Sequence, residues 1–311
     1  MHVLGIDAGA TKTIALLADG RGRVLAEGRG PGANLHASGE REVEKVLRRV
    51  TEEAIGGRRN PSAFCLGIAG VDRPDEARTV GAIVKRIAGD ARVLVVNDAL
   101  IALVAGAGDG PGIVIVSGTG SIVYGRNARN EAARAGGWGH MIGDEGSGYW
   151  IGREALTAIM RAVDGRGPAT RLTEDVLAHF GVADVSRLPR IVYDREMPRM
   201  SVAALGPMVS RASELGDAVA SRILERAADE LMLAAQSVAT RLNMRGESFP
   251  FVLAGGVYRV VPRLAEELTR RLVEIAPKSR AALLDQEPAT GAVHLALAET
   301  AGGATVPQYL R

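Results

Sequence analysis

The 311-residue sequence contains a single cysteine, Cys65. One chain therefore cannot form an internal disulfide, a cysteine-based zinc site or a multi-cysteine iron–sulfur site. Cys65 lies in the apolar run Phe64-Cys65-Leu66, which predicts a small core residue rather than a reactive thiol.

The sequence also lacks an excess of charge of one sign. It has 38 basic and 36 acidic residues and a formal net charge of +2, which argues against a dedicated nucleic-acid binder although the pI is near 8.8. No stretch approaches about 18 consecutive apolar residues, and the N-terminus has no signal-peptide pattern. We therefore expect a cytoplasmic protein without a membrane or nucleic-acid partner.

The first hundred residues predict a sheet covered by helices. With 47% hydrophobic residues the chain can bury a large core, and its length favours two domains. Apolar runs separated by glycine turns predict three antiparallel strands near residues 3–7, 13–17 and 24–26. The segments that follow predict helix, strand, helix, strand and helix, with strands at 64–69 and 93–96 and a helix at 74–88.

A second copy of this opening follows the Gly- and Pro-rich stretch 106–112. Strands are predicted at 113–116, 122–124 and 132–135, then a mostly helical region whose clearest helix is 217–242. Near the end, strands at 251–253 and 281–284 alternate with helices at 261–275 and 289–299, and residues from 302 onward read as a loose tail. Two related halves predict a duplicated α/β fold with a cleft, with one domain over 1–106 plus 288–311 and the other over 107–287.

The first hairpin turn has the composition of a phosphate loop, Asp7-Ala8-Gly9-Ala10-Thr11-Lys12-Thr13. Small residues let backbone N–H groups approach a phosphate, the threonines and Lys12 can donate to its oxygens, and Asp7 can hold magnesium through water. A second hairpin turn, Ser117-Gly118-Thr119-Gly120-Ser121, repeats this chemistry. The alternative for either loop is an ordinary hairpin turn.

Asp98 follows the apolar strand predicted at 93–96. The carboxyl ends of strands line the ligand site in open α/β sheets, so Asp98 can accept a proton from a hydroxyl that attacks a phosphoryl group. The alternative is that Asp98 is the N-cap of a helix beginning at Ala99.

A glycine-rich loop over residues 136–150 carries two tryptophans, adjacent carboxylates and a histidine. Backbone amides and carboxylates suit sugar hydroxyls, which favours a ligand loop. Alternatively, Asp144 or Glu145 caps the following helix, while Trp150 is expected in the core and His140 in a structural hydrogen bond rather than a metal site. Further on, Gly255-Gly256 ends a strand and allows close backbone approach to a nucleotide.

Taken together, these motifs resemble the sugar kinase, heat-shock chaperone and actin superfamily, and within it the N-acetylglucosamine kinase and BadF/BadG/BcrA/BcrD group. The resemblance spans nearly the whole chain, and the loop 136–150 is its most specific part. It implies a duplicated ribonuclease-H-like (actin-like ATPase) fold with two lobes around a cleft. It also implies Mg²⁺ and ATP as cofactors, a homodimer, and phosphorylation of an amino-sugar substrate at the 6-hydroxyl.

The resemblance also assigns roles to single residues. Asp98 becomes the catalytic base and a sugar contact, and Asp7 the metal-side carboxylate. The positions assigned to ATP are Thr11, Lys12, Thr13, Thr119, Ser213, Gly255 and Gly256. The positions assigned to the amino sugar are Asn34, Ser121, Gly137, Trp138, Gly139 and Asp144.

One departure from the animal family pattern concerns the sugar. Ile122 stands where animal N-acetylglucosamine kinases have a polar amide, so glucosamine and N-acetylmuramic acid stay open as substrates. The match of the sugar loop as a whole places N-acetylglucosamine first. Two other functions remain open. An activator ATPase of the same group would need two cysteines per subunit for its cluster, whereas this chain has only Cys65, and a non-catalytic sugar or nucleotide sensor would need neither Asp7 nor Asp98.

Overall fold

The computed structural model describes residues 1–71, 74–194 and 197–310, without the side chains of residues 36–38 and 74. Its strands are β1 (His2–Ala8), β2 (Lys12–Asp19), β3 (Val24–Pro31), β4 (Ala63–Ile68), β5 (Arg92–Asn97), β6 (Gly112–Ser117), β7 (Ser121–Arg126), β8 (Glu131–Gly136), β9 (Pro250–Ala254), β10 (Arg280–Leu283) and β11 (Gln308–Tyr309). Its α-helices are α1 (Leu35–Ile55), α2 (Pro74–Ala88), α3 (Asp98–Ala107), α4 (Gly148–Val163), α5 (Leu172–Phe180), α6 (Leu188–Val192), α7 (Arg199–Ala203), α8 (Gly206–Glu214), α9 (Ala218–Arg241), α10 (Val257–Val260), α11 (Pro262–Ile275) and α12 (Ala289–Ala301).

The first sheet has the strand order β3-β2-β1-β4-β5. β1 pairs antiparallel with β2, and β2 with β3, which confirms the three antiparallel strands predicted at the start of the chain. β4 lies parallel to β1 on its other side, and β5 lies parallel to β4. β4 is buried along its whole length, as expected for a parallel strand covered on both faces.

The second sheet has the order β10-β9-β6-β7-β8-β11. Taken from β8, the order β8-β7-β6-β9-β10 matches β3-β2-β1-β4-β5 strand for strand, because three consecutive strands are followed by two more on the far side of the first. The prediction of a duplicated ribonuclease-H-like α/β fold is therefore confirmed.

The chain divides into two compact units. The first comprises Met1–Val114, Tyr124–Ala133 and Leu284–Arg311, and the second comprises Ile115–Val123 and Arg134–Leu283. The core of the first unit consists of apolar side chains from β1, β2, β4, α1 and α2, among them Ile6, Leu47 and Leu66. Cys65 is fully buried beside this layer, as its apolar neighbours predict.

Helix α12 packs against β1 through glycine. A Cβ atom at Gly5 would lie 2.4 Å from the backbone nitrogen of Val293 and 2.6 Å from the carbonyl oxygen of Ala289. A Cβ at Gly291 would lie 1.9 Å from the carbonyl oxygen of Ile101. Because neither glycine has a side chain, α12 approaches both β1 and α3 closely, and the residues just before α12 are held against the first unit.

The prediction of a loose tail from residue 302 is wrong at its end. Residues 308 and 309 form β11, which pairs parallel with β8. The backbone N–H of Gln308 donates to the carbonyl of Asn130, and the Tyr309 ring meets Tyr124 edge to face at 5.9 Å between centroids. The tail is therefore ordered by an edge-strand partner far away in the sequence.

Helix α9 confirms the long amphipathic segment predicted at 217–242, and its N-cap is Asp217. The Asp217 carboxylate accepts the backbone N–H groups of Val219 and Ala220 at 2.9 Å, and also binds Thr170 and Arg171.

Among the described residues, no helix combines the length and apolar character needed to cross a membrane.

We expect Asp217→Ala to lower the free energy of unfolding by about 1 kcal/mol or more, because two helix N–H groups lose their acceptor. Partial burial raises the pKa of Asp217, but the hydrogen bonds outweigh it and the net pKa lies below 3.8. The stabilisation is thus present above about pH 4 and is lost as the pH falls through the folded-state pKa. Urea unfolding at pH 7 and pH 3 measures this, with Asp217→Asn as the cap-retaining control. An equal loss at both pH values would contradict the prediction.

Candidate active site

Asp7 and Asp98 lie at the carboxyl ends of β1 and β5, with β4 between them. The register pairs Asp7 with Gly67 and Gly67 with Val96, so Asp98 comes two residues beyond the level of Asp7. Parallel strands end at one edge of the sheet, which is where ligands bind in open α/β sheets. Both carboxylates are half-buried.

Asp98 is not the N-cap of α3, in contrast to the alternative offered by the sequence. The cap is Asn97, whose side-chain oxygen accepts the N–H of Ala99 at 2.8 Å. Asp98 is the first residue of the helix, and its Oδ1 also lies 3.0 Å from the same N–H. Asn97 therefore performs the capping role, and the Asp98 carboxylate lies beside it at the first turn of the helix.

Burial raises the pKa of Asp7 from 3.8 to about 7. The negative charge of Asp98 raises it further, Lys12 lowers it, and Glu287 raises it. All four side chains belong to the first unit. This arrangement gathers negative charge that a bound cation would compensate.

The first loop turns tightly between β1 and β2. The N–H of Gly9 donates to the carbonyl of Lys12 at 3.0 Å, and Thr11 and Lys12 are exposed. Thr13 differs from them, since it is fully buried and its hydroxyl donates to the carbonyl of Pro31 at 2.7 Å. The Thr13 hydroxyl therefore connects β2 to β3, while Thr11 and Lys12 face outward.

Asn34 follows β3 and lies next to this loop. The N–H of Ala33 donates to the carbonyl of Gly9 at 3.1 Å, which fixes the backbone beside Asn34. A Cβ at Gly32 would lie 2.1 Å from the carbonyl oxygen of Ala10. The half-buried Asn34 is thus brought into the same group as Asp7 and the first loop.

The second loop connects β6 and β7 and is fixed by the glycine-rich segment. The N–H of Gly118 donates to the carbonyl of Gly120, and the N–H of Gly148 donates to the carbonyl of Gly118, both at 2.9 Å. The Ser117 hydroxyl donates to the carbonyl of Gly146 at 2.8 Å. Thr119 lies half-buried at the turn of this hydrogen-bonded loop.

Asp144 joins the second loop to the glycine-rich segment. Its carboxylate accepts the backbone N–H groups of Ser121 and Gly139, and it adopts a positive φ of 59°. Burial raises the pKa of Asp144, although these hydrogen bonds act in the opposite direction. The N-cap of α4 is Ser147, so neither Asp144 nor Glu145 caps this helix.

Other predicted sugar-loop residues surround Asp144 in the second unit. The Ser121 hydroxyl donates to the carbonyl of Glu145 at 2.7 Å. Gly137 and Gly139 have φ values of 71° and 89°, and Trp138 between them is 58% exposed. The Arg134 guanidinium lies 4.3 Å from the centroid of the Trp138 ring.

The alternatives for Trp150 and His140 are resolved by their surroundings. Trp150 is buried, as expected for a core residue. His140 Nδ1 lies 3.3 Å from the Arg199 guanidinium, so His140 takes part in a structural hydrogen bond. Within the described residues, no group of three or more His, Cys, Asp or Glu side chains is placed to hold a metal by itself.

Three further positions assigned to ATP also lie in the second unit, and one of them, Gly255, lies against the second loop. Gly255 has a φ of 117°, and a Cβ there would lie 2.2 Å from the carbonyl oxygen of Ser117, whereas a Cβ at Gly256 would meet no atom within 4 Å. The buried Ser213 accepts a hydrogen bond from Arg263 at 2.6 Å and lies 3.0 Å from the Ser221 hydroxyl.

Two further side chains touch these groups without having been identified from the sequence. Glu287 Oε2 lies 2.7 Å from Lys12 Nζ, and Arg263 binds Ser213. Neither belongs to a recognisable motif. The sequence signal for Glu287 was its position just before a predicted helix. Its pairing with Lys12 could not be predicted, because 275 residues separate the two.

The duplicated fold, with a Gly- and Thr-containing loop in each half and carboxylates at its strand ends, defines an actin-like ATPase. The chain belongs to the BadF/BadG/BcrA/BcrD ATPase family, which it matches over residues 4–296.

Two relatives match along nearly their whole length. An N-acetylmuramic acid/N-acetylglucosamine kinase of Clostridium acetobutylicum is 36% identical, with 96% of this chain and 99% of the relative covered. An N-acetyl-D-glucosamine kinase of Dictyostelium discoideum is 33% identical, with 94% and 97% covered.

Solved structures share the fold. The structure of a candidate N-acetylglucosamine kinase from Chromobacterium violaceum superposes with a TM-score of 0.76 at 27% identity, over 95% of this chain and 98% of that one. A glucokinase of the ROK family from Streptomyces griseus has a TM-score of 0.59 at 19% identity, over 95% and 98%.

The two neighbouring glycines allow a matched stability test. Gly255→Ala should lower the free energy of unfolding by about 2 kcal/mol or more, because it combines an unfavourable φ with a clash against the Ser117 carbonyl. Gly256→Ala should change it by less than about 0.5 kcal/mol, because the space around it is open. Denaturant unfolding of both variants measures the difference, and equal losses would contradict this account of the loop.

Proposed function

We propose that the chain is an ATP-dependent kinase that transfers a phosphoryl group to an amino sugar, first of all to the 6-hydroxyl of N-acetylglucosamine. The observation that carries this proposal is the placement of Asp98 with Asp7 at the ends of β5 and β1, where the charge of Asp98 acts on Asp7 and the N-cap of α3 is Asn97. The names of both curated relatives support the choice of N-acetylglucosamine. Glucosamine and N-acetylmuramic acid are the alternative substrates.

In the proposed reaction, Asp98 is the general base. The sugar hydroxyl gives its proton to the Asp98 carboxylate as its oxygen bonds to the terminal phosphorus of ATP, and the bond from that phosphorus to the ADP oxygen breaks in line. The protein contributes mainly by positioning the two reactants and by placing donors around the transferring group. A carboxylate at the first turn of a well-capped helix is rigidly held for this task.

The residues present fit a magnesium ion. Mg²⁺ prefers oxygen ligands and commonly binds through one or two carboxylates together with substrate phosphates and water. Burial and the neighbouring Asp98 make the Asp7 carboxylate electrostatically unfavourable, and a cation would relieve this. We propose that Asp7 holds the ion, directly or through water. When bound, the ion neutralises charge on the phosphates.

For ATP we propose that Thr11 and Lys12 of the first loop and Thr119 of the second donate to phosphate oxygens. Thr13 stabilises the first loop, because its hydroxyl donates a hydrogen bond to the Pro31 carbonyl. The proposed adenosine contacts are Gly255 and Gly256, whose exposed backbone is accessible for close approach, and Ser213 is proposed as a further nucleotide contact.

For the sugar we propose contacts from Asn34 and Asp98 and from the segment around Asp144. Asp144 retains acceptor capacity beyond the two backbone N–H groups that it binds, since a carboxylate can accept about four hydrogen bonds. The remaining proposed contacts are Ser121, Gly137, Trp138 and Gly139.

We also propose that the protein works as a homodimer in the cytoplasm. The dimer is supported by the family resemblance. A reducing compartment agrees with the buried, unpaired Cys65, because burial raises the pKa of its thiol and makes it unreactive.

The proposal is tested by coupled ADP release with MgATP against N-acetylglucosamine, glucosamine, N-acetylmuramic acid, N-acetylmannosamine and glucose. We expect sugar-dependent ADP release with one amino sugar strongly preferred. ATP hydrolysis that is indifferent to every sugar would contradict the proposal and favour the activator ATPase. Absence of turnover with retained ligand binding would favour the sensor.

Asp98→Asn should lower kcat by about 10²- to 10⁴-fold, because the amide cannot accept the hydroxyl proton. Sugar binding should remain measurable by calorimetry. Asp75→Asn is the matched control, since Asp75 is an exposed acid on α2 whose carboxylate pairs with Arg78. A rate for Asp98→Asn within about tenfold of wild type would remove Asp98 from the role of base.

Asp144→Ala should raise the KM for the sugar about tenfold or more, because a charge-assisted hydrogen bond to a hydroxyl is lost, while the KM for ATP stays within about twofold. Asp144→Asn controls for backbone strain, since asparagine tolerates the positive φ at this position. Steady-state kinetics with each substrate varied separately measures the effect. Equal increases in both KM values would contradict the assignment of Asp144 to the sugar.

A further inference from the structure

Lys12 is held by a carboxylate that lies at the other end of the sequence. Its Nζ lies 2.7 Å from Glu287 Oε2, which is the distance of a charge-assisted hydrogen bond. The Lys12 side chain is 51% exposed and the Glu287 side chain 28% exposed. The pair is therefore accessible to solvent, and a ligand can reach the ammonium group.

The backbone of Glu287 is fixed at the start of the helix that follows it. The Glu287 carbonyl accepts the backbone N–H of Thr290 at 2.9 Å and the Thr290 hydroxyl at 2.8 Å. The helix that follows is packed against β1 at Gly5. Lys12, in contrast, carries its charge on a flexible four-carbon stem at an exposed turn. The Lys12 ammonium can therefore move to another partner without a change in the backbone of either residue.

A phosphate that replaces Glu287 as the partner of Lys12 would do so among several other charges. The charges of Glu287, Asp98 and Lys12 all act on Asp7, so these groups share one electrostatic environment. An incoming polyphosphate meets the carboxylates of that environment and must compete with Glu287 for the Lys12 ammonium. Exposed ion pairs contribute little to stability, so this pair can open at small cost.

We propose that Glu287 is a positioning residue for nucleotide binding: it holds Lys12 by the ion pair until ATP arrives, and a phosphate oxygen then replaces it. Glu287 thereby limits the affinity for the nucleotide and keeps Lys12 directed along the first loop. This inference rests on the ATP site of the proposed function, but it does not depend on which sugar is phosphorylated.

The test is calorimetric titration of the full chain with ATP and MgCl₂ in the absence of sugar. Glu287→Gln should tighten ATP binding by about two- to fivefold, which is the effect of removing a competing exposed ion pair. Lys12→Gln should weaken binding by about tenfold or more, because a charge-assisted hydrogen bond is lost. In the Lys12→Gln background, Glu287→Gln should change the affinity by less than about 1.5-fold, because its effect passes through Lys12.

Glu42→Gln is the matched control, because Glu42 forms a comparable exposed pair with Lys45 on α1 and should leave ATP binding unchanged. Thermal unfolding shows whether each variant remains folded. Weaker or unchanged ATP binding by Glu287→Gln, or an equal gain with and without Lys12, would overturn the inference. If the wild-type chain binds ATP but phosphorylates no sugar, the proposed function fails and this inference is still decided. If it binds no ATP, both are overturned.

Discussion

Two like charges held together at the edge of the first sheet are the constraint on which the candidate site depends. Asp7 and Asp98 are placed there by parallel strands that end at nearly the same level. Burial and proximity make the ionised pair unfavourable, which raises the pKa of Asp7 to about 7. Lys12 offsets part of this charge, and a cation bound with a polyphosphate would offset more. The same feature that destabilises the ligand-free site thus favours a metal-bound nucleotide beside a base.

In the second unit, the candidate site residues are positioned by backbone conformation and hydrogen bonds rather than by a pair of like charges. Asp144 gathers the N–H groups of Ser121 and Gly139, and the Ser117 hydroxyl reaches the Gly146 carbonyl, so the second loop and the glycine-rich segment form one hydrogen-bonded body. The positive φ values of Gly137, Gly139 and Asp144 show why this segment is poor in ordinary side chains. The composition of this segment therefore follows from its backbone shape.

Much of the fold could be predicted because its signals are local. Apolar runs and glycine turns located the strands of both sheets, and the repeat of the opening pattern indicated the duplication that the strand orders confirm. The errors came from partners that are distant in sequence. β11 forms by pairing with the edge of β8, and the sequence from residue 302 onward gives no sign of this pairing. The Glu287–Lys12 pair was missed because 275 residues separate its two members. The cap of α3 was open for a different reason: Asn and Asp are both good N-cap residues, and the geometry shows that Asn97 takes the role.

The central claim is phosphoryl transfer to an amino sugar rather than hydrolysis of ATP, and ³¹P NMR of a reaction with MgATP and N-acetylglucosamine tests it most directly. We predict a sugar phosphomonoester resonance that grows in step with ADP, with carbon–phosphorus coupling at C6. Inorganic phosphate appearing in step with ADP, without a sugar phosphate, would contradict it.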